Sequence, residues 1–375
     1  VFAGIPEVID LLSDAAQLDE ALEQLPKGPA VFAIWPAQGE PYLGKTNVLS
    51  RRLKRLLRVA SQPSRLLNLR GVATRVEYWR TASRLEGSLV LYELAKRHLP
   101  GSYVEFLKLR MPAYVKLIQS NQFPRTQVTS RISKEPSQYY GPFRSRAAAE
   151  EFEHGLLDLF QLRRCQEDLD PRPEHPGCIY GEMNMCLRPC QQVVGMEEYA
   201  SETARVAEFL ATGGRRLLQV SEAARDRLSA DMDFEEAARQ HKRIERIEEL
   251  LKLRDALAFD IERLHGVAVS ASSESDAVKL WFVFGGTCQA PQDLAFAPMG
   301  DKTVSLDHRL RELIATLAPM KAEGRERQEH LALLARWFYS SWRDGEWIPF
   351  DSIEKISYRK LTGAVSRTVA AVNKL

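Results

Sequence analysis

Apolar positions recur along the chain with two periods, and each change of period marks an element. Residues 5–26 carry a helical period and predict an amphipathic helix, or a pair of them, ending at PKGPA. AVFAIWPA and EPYLG then read as two short strands joined by a glycine-containing turn, a hairpin. Next, Leu49, Leu53, Leu56 and Leu57 form one stripe of a helix for which Asn47 is the expected N-cap. The same helix gathers Arg51, Arg55 and Arg58 on a second face at i, i+4, i+7 spacing. RVEYWRTA predicts a third strand, and SRLEGSLVLYELAKRHLP a helix that Pro100 stops. FPRTQVTSRI and SQYYGPF read as extended, with a helix over SRAAAEEFEHGLLDLF after them.

The stretch 165–190 is rich in Pro and Gly and has no apolar period, which predicts irregular backbone held from outside. From 195 to 258 the pattern is that of a helical hairpin, broken at Gly213-Gly214 and again at DMDF. Asp233 and Glu236 have capping-box-like spacing. The helix they open aligns Phe234, Ala237, Ala238, His241, Ile244, Ile247 and Leu251 on one seam. LHGVAVSAS, AVKLWFVFGGTCQ and QDLAFAP predict a small β-meander, followed by helices over 305–343 and a tail. The fold class is therefore α+β and multidomain. Its segments are an N-terminal helical extension (1–27), a small α/β domain (28–105) and a connecting, cysteine-bearing region (106–194). A helical hairpin (195–258) and a C-terminal α/β extension (259–375) complete it.

Composition narrows the class. A length of 375 residues suits two or three cores, and 45% apolar with 27% charged residues is ordinary for a globular protein. No run of 18 apolar residues argues for a membrane span, and the acidic start VFAGIPEVIDLLSD argues against a secretory signal. The expectation is a cytoplasmic protein with no membrane partner. A net charge of +2 hides a local asymmetry: from Lys45 to Arg70 there are eight Lys or Arg and no Asp or Glu. Gly44 between strand and cationic helix would let a phosphate approach the backbone, and Lys45, Arg51, Arg55 and Arg58 would displace counterions from a nucleic acid. A solvated basic face gives the same pattern.

Four of the five cysteines, Cys165, Cys178, Cys186 and Cys190, are spaced C-x12-C-x7-C-x3-C. Four thiolates can hold Zn²⁺ or the corners of an iron–sulfur cubane; the missing C-x2-C knuckle leans toward the cluster. Cys288 reads as a buried core thiol. Trp337, Phe338, Tyr339 and Trp342 could stack on unpaired bases, but core packing is the more ordinary use of such a run.

AVFAI followed by YLGKTNVLSRRL resembles the GIY-YIG nuclease module found at the start of the UvrC family. YYGPF, FQLRRC, HPGCIY and CLRPC resemble that family's cysteine region in order, and DFEEAA-x4-RI resembles its UVR motif. Three matches in the right order over 28–252 identify the chain as a shortened, divergent relative.

The resemblance implies catalytic roles for Tyr42 and Arg52 in a metal-assisted phosphodiester cleavage using Mg²⁺ or Mn²⁺. It also implies a [4Fe–4S] cluster on the four cysteines, with Zn²⁺ as the alternative. A UvrB-like partner would dock on Phe234, Ala237, Ala238 and Ile244, with Arg239 and Arg243 at the rim. Two departures stand out: the family's first tyrosine is Phe32, and its metal-holding glutamate falls on Leu91. Glu86 and Glu93 lie off that helical face, and Glu77 is a remote substitute. The expectation is a DNA-binding, UvrB-docking repair protein with impaired catalysis. The alternative is an active single-incision endonuclease of the Cho/UvrC type. A redox-responsive regulator would fit the cysteines but leave the UVR-like helix unexplained. Beyond Asp301 no acidic cluster for a second, RNase-H-like site can be assigned.

Overall fold

The computed structural model describes residues 2–11, 20–57, 67–274, 276–295, 304–322 and 324–372. Arg58 lies outside the described residues. In chain order the strands are β1 (Glu7–Asp10), β2 (Ala30–Pro36), β3 (Tyr42–Thr46), β4 (Ala73–Arg80), β5 (Ala113–Ile118), β6 (Arg125–Thr129) and β7 (Ser137–Phe143). β8 (Phe259–Asp260), β9 (Gly266–Ala271), β10 (Ala277–Phe284), β11 (Thr287–Cys288), β12 (Gln292–Ala295) and β13 (Glu346–Pro349) follow. The helices are α1 (Leu49–Leu57), α2 (Arg84–His98), α3 (Tyr103–Phe106), α4 (Arg146–Leu159), α5 (Ile179–Glu182) and α6 (Met196–Thr212). Then come α7 (Arg215–Ala230), α8 (Phe234–Lys252), α9 (Leu306–Ala315), α10 (Gly324–Phe338) and α11 (Tyr358–Val372). These divide into two compact units: residues 1–109, 265–320 and 336–375, and residues 110–264 and 321–335.

The first unit holds two antiparallel sheets. One has the order β1-β4-β2-β3. Its register puts Phe32, Ile34, Tyr42, Gly44 and Tyr78 on one face, against which α1 buries Leu49, Leu53, Leu56 and Leu57 as the stripe predicts. The opposite face carries Ala33, Trp35 and Lys45 and meets α2, through Trp35 against His98 and Lys45 against Ser88. The sheet is thus sandwiched between the two helices. Ser83 and Glu86 form the capping box that starts α2: Ser83 Oγ accepts from the Glu86 amide, and Glu86 accepts from the Ala82 amide.

The second sheet runs β11-β10-β9-β13, with β12 also on β10, and buries its apolar face under α9 and α11. Glu86 of α2 reaches this sheet: its carboxylate lies 2.7 Å from the Lys279 ammonium on β10, both side chains nearly buried. Burial alone would depress the Lys279 pKa, but Glu86 and Asp293 hold it above its ordinary value.

Three expectations need correction here. Residues 7–10 are a strand paired with β4, not part of a helix, although 20–23 are helical; 12–19 lie outside the described residues. The extended partner completes the sheet edge, and that tertiary gain outweighs a helical period over four residues. Asn47 is not the cap of α1: Thr46 Oγ1 accepts from the Val48 amide instead, and the Leu49 and Ser50 amides donate to the carbonyls of Gly28 and Pro26. The expected C-terminal tail contains β13, which pairs with β9, and α11, which closes the core.

In the second unit the sheet order is β6-β5-β7-β8, all antiparallel. Its core joins Val115, Leu117, Tyr140, Phe152, Tyr199, Phe209, Ile247 and Leu250 from the sheet and from α4, α6 and α8. β5 had no separate place in the sequence reading, though AYVKLI is wholly apolar but for one lysine. The breaks at Gly213-Gly214 and DMDF fall where expected, and both glycines adopt positive φ. Asp233 caps α8 by accepting from the Glu236 amide. Among the described residues no helix is long and apolar enough to cross a membrane.

Candidate functional site

Two groups of residues bear chemistry. The first lies on the N-terminal sheet. An Arg52 guanidinium nitrogen donates to the Tyr42 hydroxyl at 2.9 Å, so the strand and helix meet at the two positions that the motif pairs. Phe32 packs tilted beside Tyr42, ring centroids 6.2 Å apart, and offers no hydroxyl. Gly44 is explained by the same ring: a Cβ there would come within 2.8 Å of the Phe32 ring tip. The space expected to admit a phosphate at Gly44 is therefore filled by Phe32, and the first amides of α1 are satisfied by Pro26 and Gly28. Arg51 and Arg55 are exposed on α1. Lys45 does not join them, because the strand period turns it to the α2 face.

Leu91 is buried on α2, across the sheet from Tyr42 and Arg52. The three acids weighed from the sequence, Glu77, Glu86 and Glu93, are each held elsewhere. Glu77 pairs in register with Ala33, so it faces away from Tyr42; it accepts from Trp35 Nε1 at 2.8 Å and meets Arg75 at 3.0 Å. Glu86 is tied to Lys279 and the Ala82 amide. Glu93 accepts from the Ala3 amide at 2.8 Å and from Arg97 at 3.0 Å.

The second group is the cysteine segment. Cys165, Cys178, Cys186 and Cys190 line one pocket with Arg163, Arg164, Leu169, Gly181, Arg188 and Pro189. Cys178 is the N-cap of short α5, Cys186 lies in the loop after it and Cys190 in a turn at Pro189–Gln191, which Arg188 and Gln192 flank in left-handed backbone. Burial pushes the Cys186 thiol up to about 11 despite the Arg188 amide on its sulfur, and the other three thiols add to the effect. Cys190 is raised by the same causes, burial first.

Sequence reasoning missed Arg163. It is 1% exposed, and its guanidinium donates to the carbonyls of Phe123 and Glu167 and lies 3.5 Å from Cys165 Sγ. Its second terminal nitrogen is buried without a protein partner. A buried cation beside four thiols suits an anionic, thiolate-ligated guest. The signal was present in FQLRRC, where Arg163 stands two residues before Cys165. No three of the described His, Cys, Asp or Glu side chains stand close enough to hold a single metal ion.

On α8 the expected seam divides. Ala237 and Ile244 are buried, together with Ile247 and Leu250. Phe234 is 67% exposed and Met232 77%, and Ala238 and His241 are exposed beside Phe234. The helix turns its 237/244/247 stripe inward, which leaves 234/238/241 outside. Arg239 is engaged by Glu235 and Glu236. Arg243 is half-buried: burial, then Arg205, lowers its pKa, opposed by Glu202, so it faces α6 rather than an open rim.

These features define an α+β protein with a Tyr–Arg pair on a small sheet and a four-thiol pocket in a second core. Comparison with known proteins gives that class a family. The model of the UvrC/Cho excinuclease middle domain matches residues 113–209, which includes all four cysteines. UvrABC system protein C of Moorella thermoacetica is 28% identical over 86% of this chain and 49% of that protein. The Acetivibrio thermocellus protein of the same name is 27% identical over 72% of this chain and 44% of its own length. The chain is thus a divergent homologue of these UvrC proteins. It spans about half the length of the curated relatives it matches. No solved structure matches it.

Proposed function

We propose that this chain is a DNA-binding protein of nucleotide excision repair that docks a UvrB-like partner and does not itself incise. One observation carries the non-cutting part: Glu77, Glu86 and Glu93 are all committed away from the Tyr42–Arg52 pair, and Leu91 stands at the acid's position. Mg²⁺ binds through oxygen donors in tight geometry, so a site stripped of its carboxylate loses its metal. Arg52 can still meet a phosphate oxygen through its other N–H groups, with Tyr42 fixing its orientation. The exposed Arg51 and Arg55 extend the grip along the backbone.

The module reads as GIY-YIG-like, and the α7–α8 pair as the UVR hairpin. Its outward Phe234 and Met232 would enter an apolar groove of the partner, flanked by Ala238. Cys165, Cys178, Cys186 and Cys190 would hold a [4Fe–4S] cluster, which supplies a rigid, electron-accepting cross-link for an otherwise irregular segment. Arg163 would donate its unpartnered N–H toward it.

The test is incision of a lesion-bearing duplex in Mg²⁺ or Mn²⁺, with and without UvrB. DNA retention without a nick is expected. A nick lost on Arg52→Ala would establish the alternative, an active single-incision endonuclease, which the intact Arg52–Tyr42 hydrogen bond favours.

A further inference from the structure

Three cations gather at the start of α2 with no carboxylate ion-paired to any of them among the described residues. Lys45 Nζ donates to Ser88 Oγ at 3.1 Å, and Ser88 Oγ donates to the Arg84 carbonyl at 2.7 Å, so Lys45 and Arg84 share one helical turn. The Arg84 guanidinium lies over the Trp342 ring, 5.0 Å from its centroid. Asp344 spends its oxygens on the Arg84 amide at 2.6 Å and Trp337 Nε1 at 3.0 Å, which pins segment 337–344 to this turn. Arg336 sits one residue before the buried Trp337 and anchors through one nitrogen to the Leu107 carbonyl at 3.0 Å. All three cationic side chains are exposed. Partial enclosure, then the Arg336 and Arg84 guanidiniums, push the Lys45 ammonium below its ordinary pKa, so the charges feel one another.

Like charges held together cost energy unless an anion joins them. The Trp342 stack and the Leu107 anchor hold two guanidinium forks in place before any ligand arrives. With all three side chains exposed, the cluster suits a polyanion running past it rather than a small phosphate ester.

We infer that Lys45, Arg84 and Arg336 form a phosphate-binding site for a DNA strand, built jointly by β3, the first turn of α2 and the end of α10. This rests on the DNA-binding reading above and extends the DNA track to the face of the sheet opposite Arg52. Lys45 contributes through this cluster rather than through the α1 face.

Fluorescence anisotropy of the full chain with a labelled single strand, and with the same sequence as duplex, tests it across about 50 to 200 mM salt. Two lost phosphate contacts should flatten the slope of log K against log salt by about 1.4 for the single strand and about 1.8 for the duplex in Arg84→Gln/Arg336→Gln. Arg84→Lys/Arg336→Lys should keep the slope, as should the control Arg359→Gln/Lys360→Gln on α11. Should the double Gln variant have a lowered melting midpoint, Lys45→Gln provides the independent reading, with a slope change of about half that size. An unchanged slope in both Gln variants, or an equal loss in the control, overturns the site while leaving DNA binding intact. Failure of the wild-type chain to bind either probe overturns the DNA-binding reading itself, and the site with it.

Discussion

Removing the charge of Glu86 should cost the first unit about 3 kcal/mol, and removing Lys279 as well should recover most of that. The pair is 2.7 Å apart with side chains 4% and 11% exposed, so neither ion can be rehydrated when its partner is lost. Glu86→Gln is the cleaner perturbation because the amide oxygen still accepts from Ala82, which leaves the capping box in place. What remains is a buried ammonium with only Asp293, at 3.6 Å, to offset it. Breaking a buried pair costs about 3–5 kcal/mol, whereas replacing both ions by neutral groups of similar volume is often neutral. The double variant Glu86→Gln/Lys279→Met should therefore be more stable than the sum of the singles by about 2 kcal/mol or more. All six tryptophans, at 35, 79, 281, 337, 342 and 347, lie in the first unit. Urea unfolding followed by tryptophan fluorescence thus reports this unit alone. The folded Lys279 pKa is raised, so its contribution is full below the unfolded value of 10.5 and is lost as pH rises through the folded value. The coupling should accordingly hold from neutral pH upward and fade only above that value. Strictly additive single-variant costs would show that the contact carries no energy and that the C-terminal sheet is held to α2 by apolar packing alone.

Gly44→Ala should destabilise the first unit by about 1–3 kcal/mol, because its Cβ would press on the buried Phe32 ring; Phe32→Ala in the same background should relieve the clash, and calorimetry reads both. Phe234→Ala should leave stability within about 0.5 kcal/mol but abolish capture by the UvrB C-terminal hairpin, whereas Ile244→Ala should cost about 2 kcal/mol or more in urea unfolding. Anaerobically purified protein should be brown with broad visible absorption, lost on Cys186→Ser; a colourless protein holding one equivalent of zinc would replace the cluster. Burial, then Arg97, lowers the His98 pKa against Glu77, and burial lowers that of His265. Both imidazoles should therefore titrate below 6.5 by NMR, and acidification through 6.5 should reduce stability, since the unfolded chain then binds more protons.

The elements legible in the sequence were those whose pattern is local. The α1 stripe, the β2–β3 hairpin, the Asp233 cap and the Gly213-Gly214 break each need only a few neighbouring residues to declare themselves. β1 and β13 were not legible, since each four-residue strand exists only because a distant strand offers it an edge. The same limit governed the site. Arg52 meets Tyr42 across a spacing that the motif encodes, and the four cysteines cluster within one segment. Lys45, Arg84 and Arg336 share no segment, and strand parity took Lys45 from the basic face to which its neighbours assigned it.

Leu91 bears on stability as well as on the proposed absence of cutting. Leu91 is buried on α2, and the same helix gives its first turn to Lys279 and the pinned segment 337–344. A glutamate at position 91 would put a carboxylate where the leucine is 8% exposed, and burying a charge without a partner is costly. α2 supplies a seat for the C-terminal sheet through the Glu86–Lys279 pair. Leu91→Glu should therefore destabilise the first unit rather than create a cutting activity.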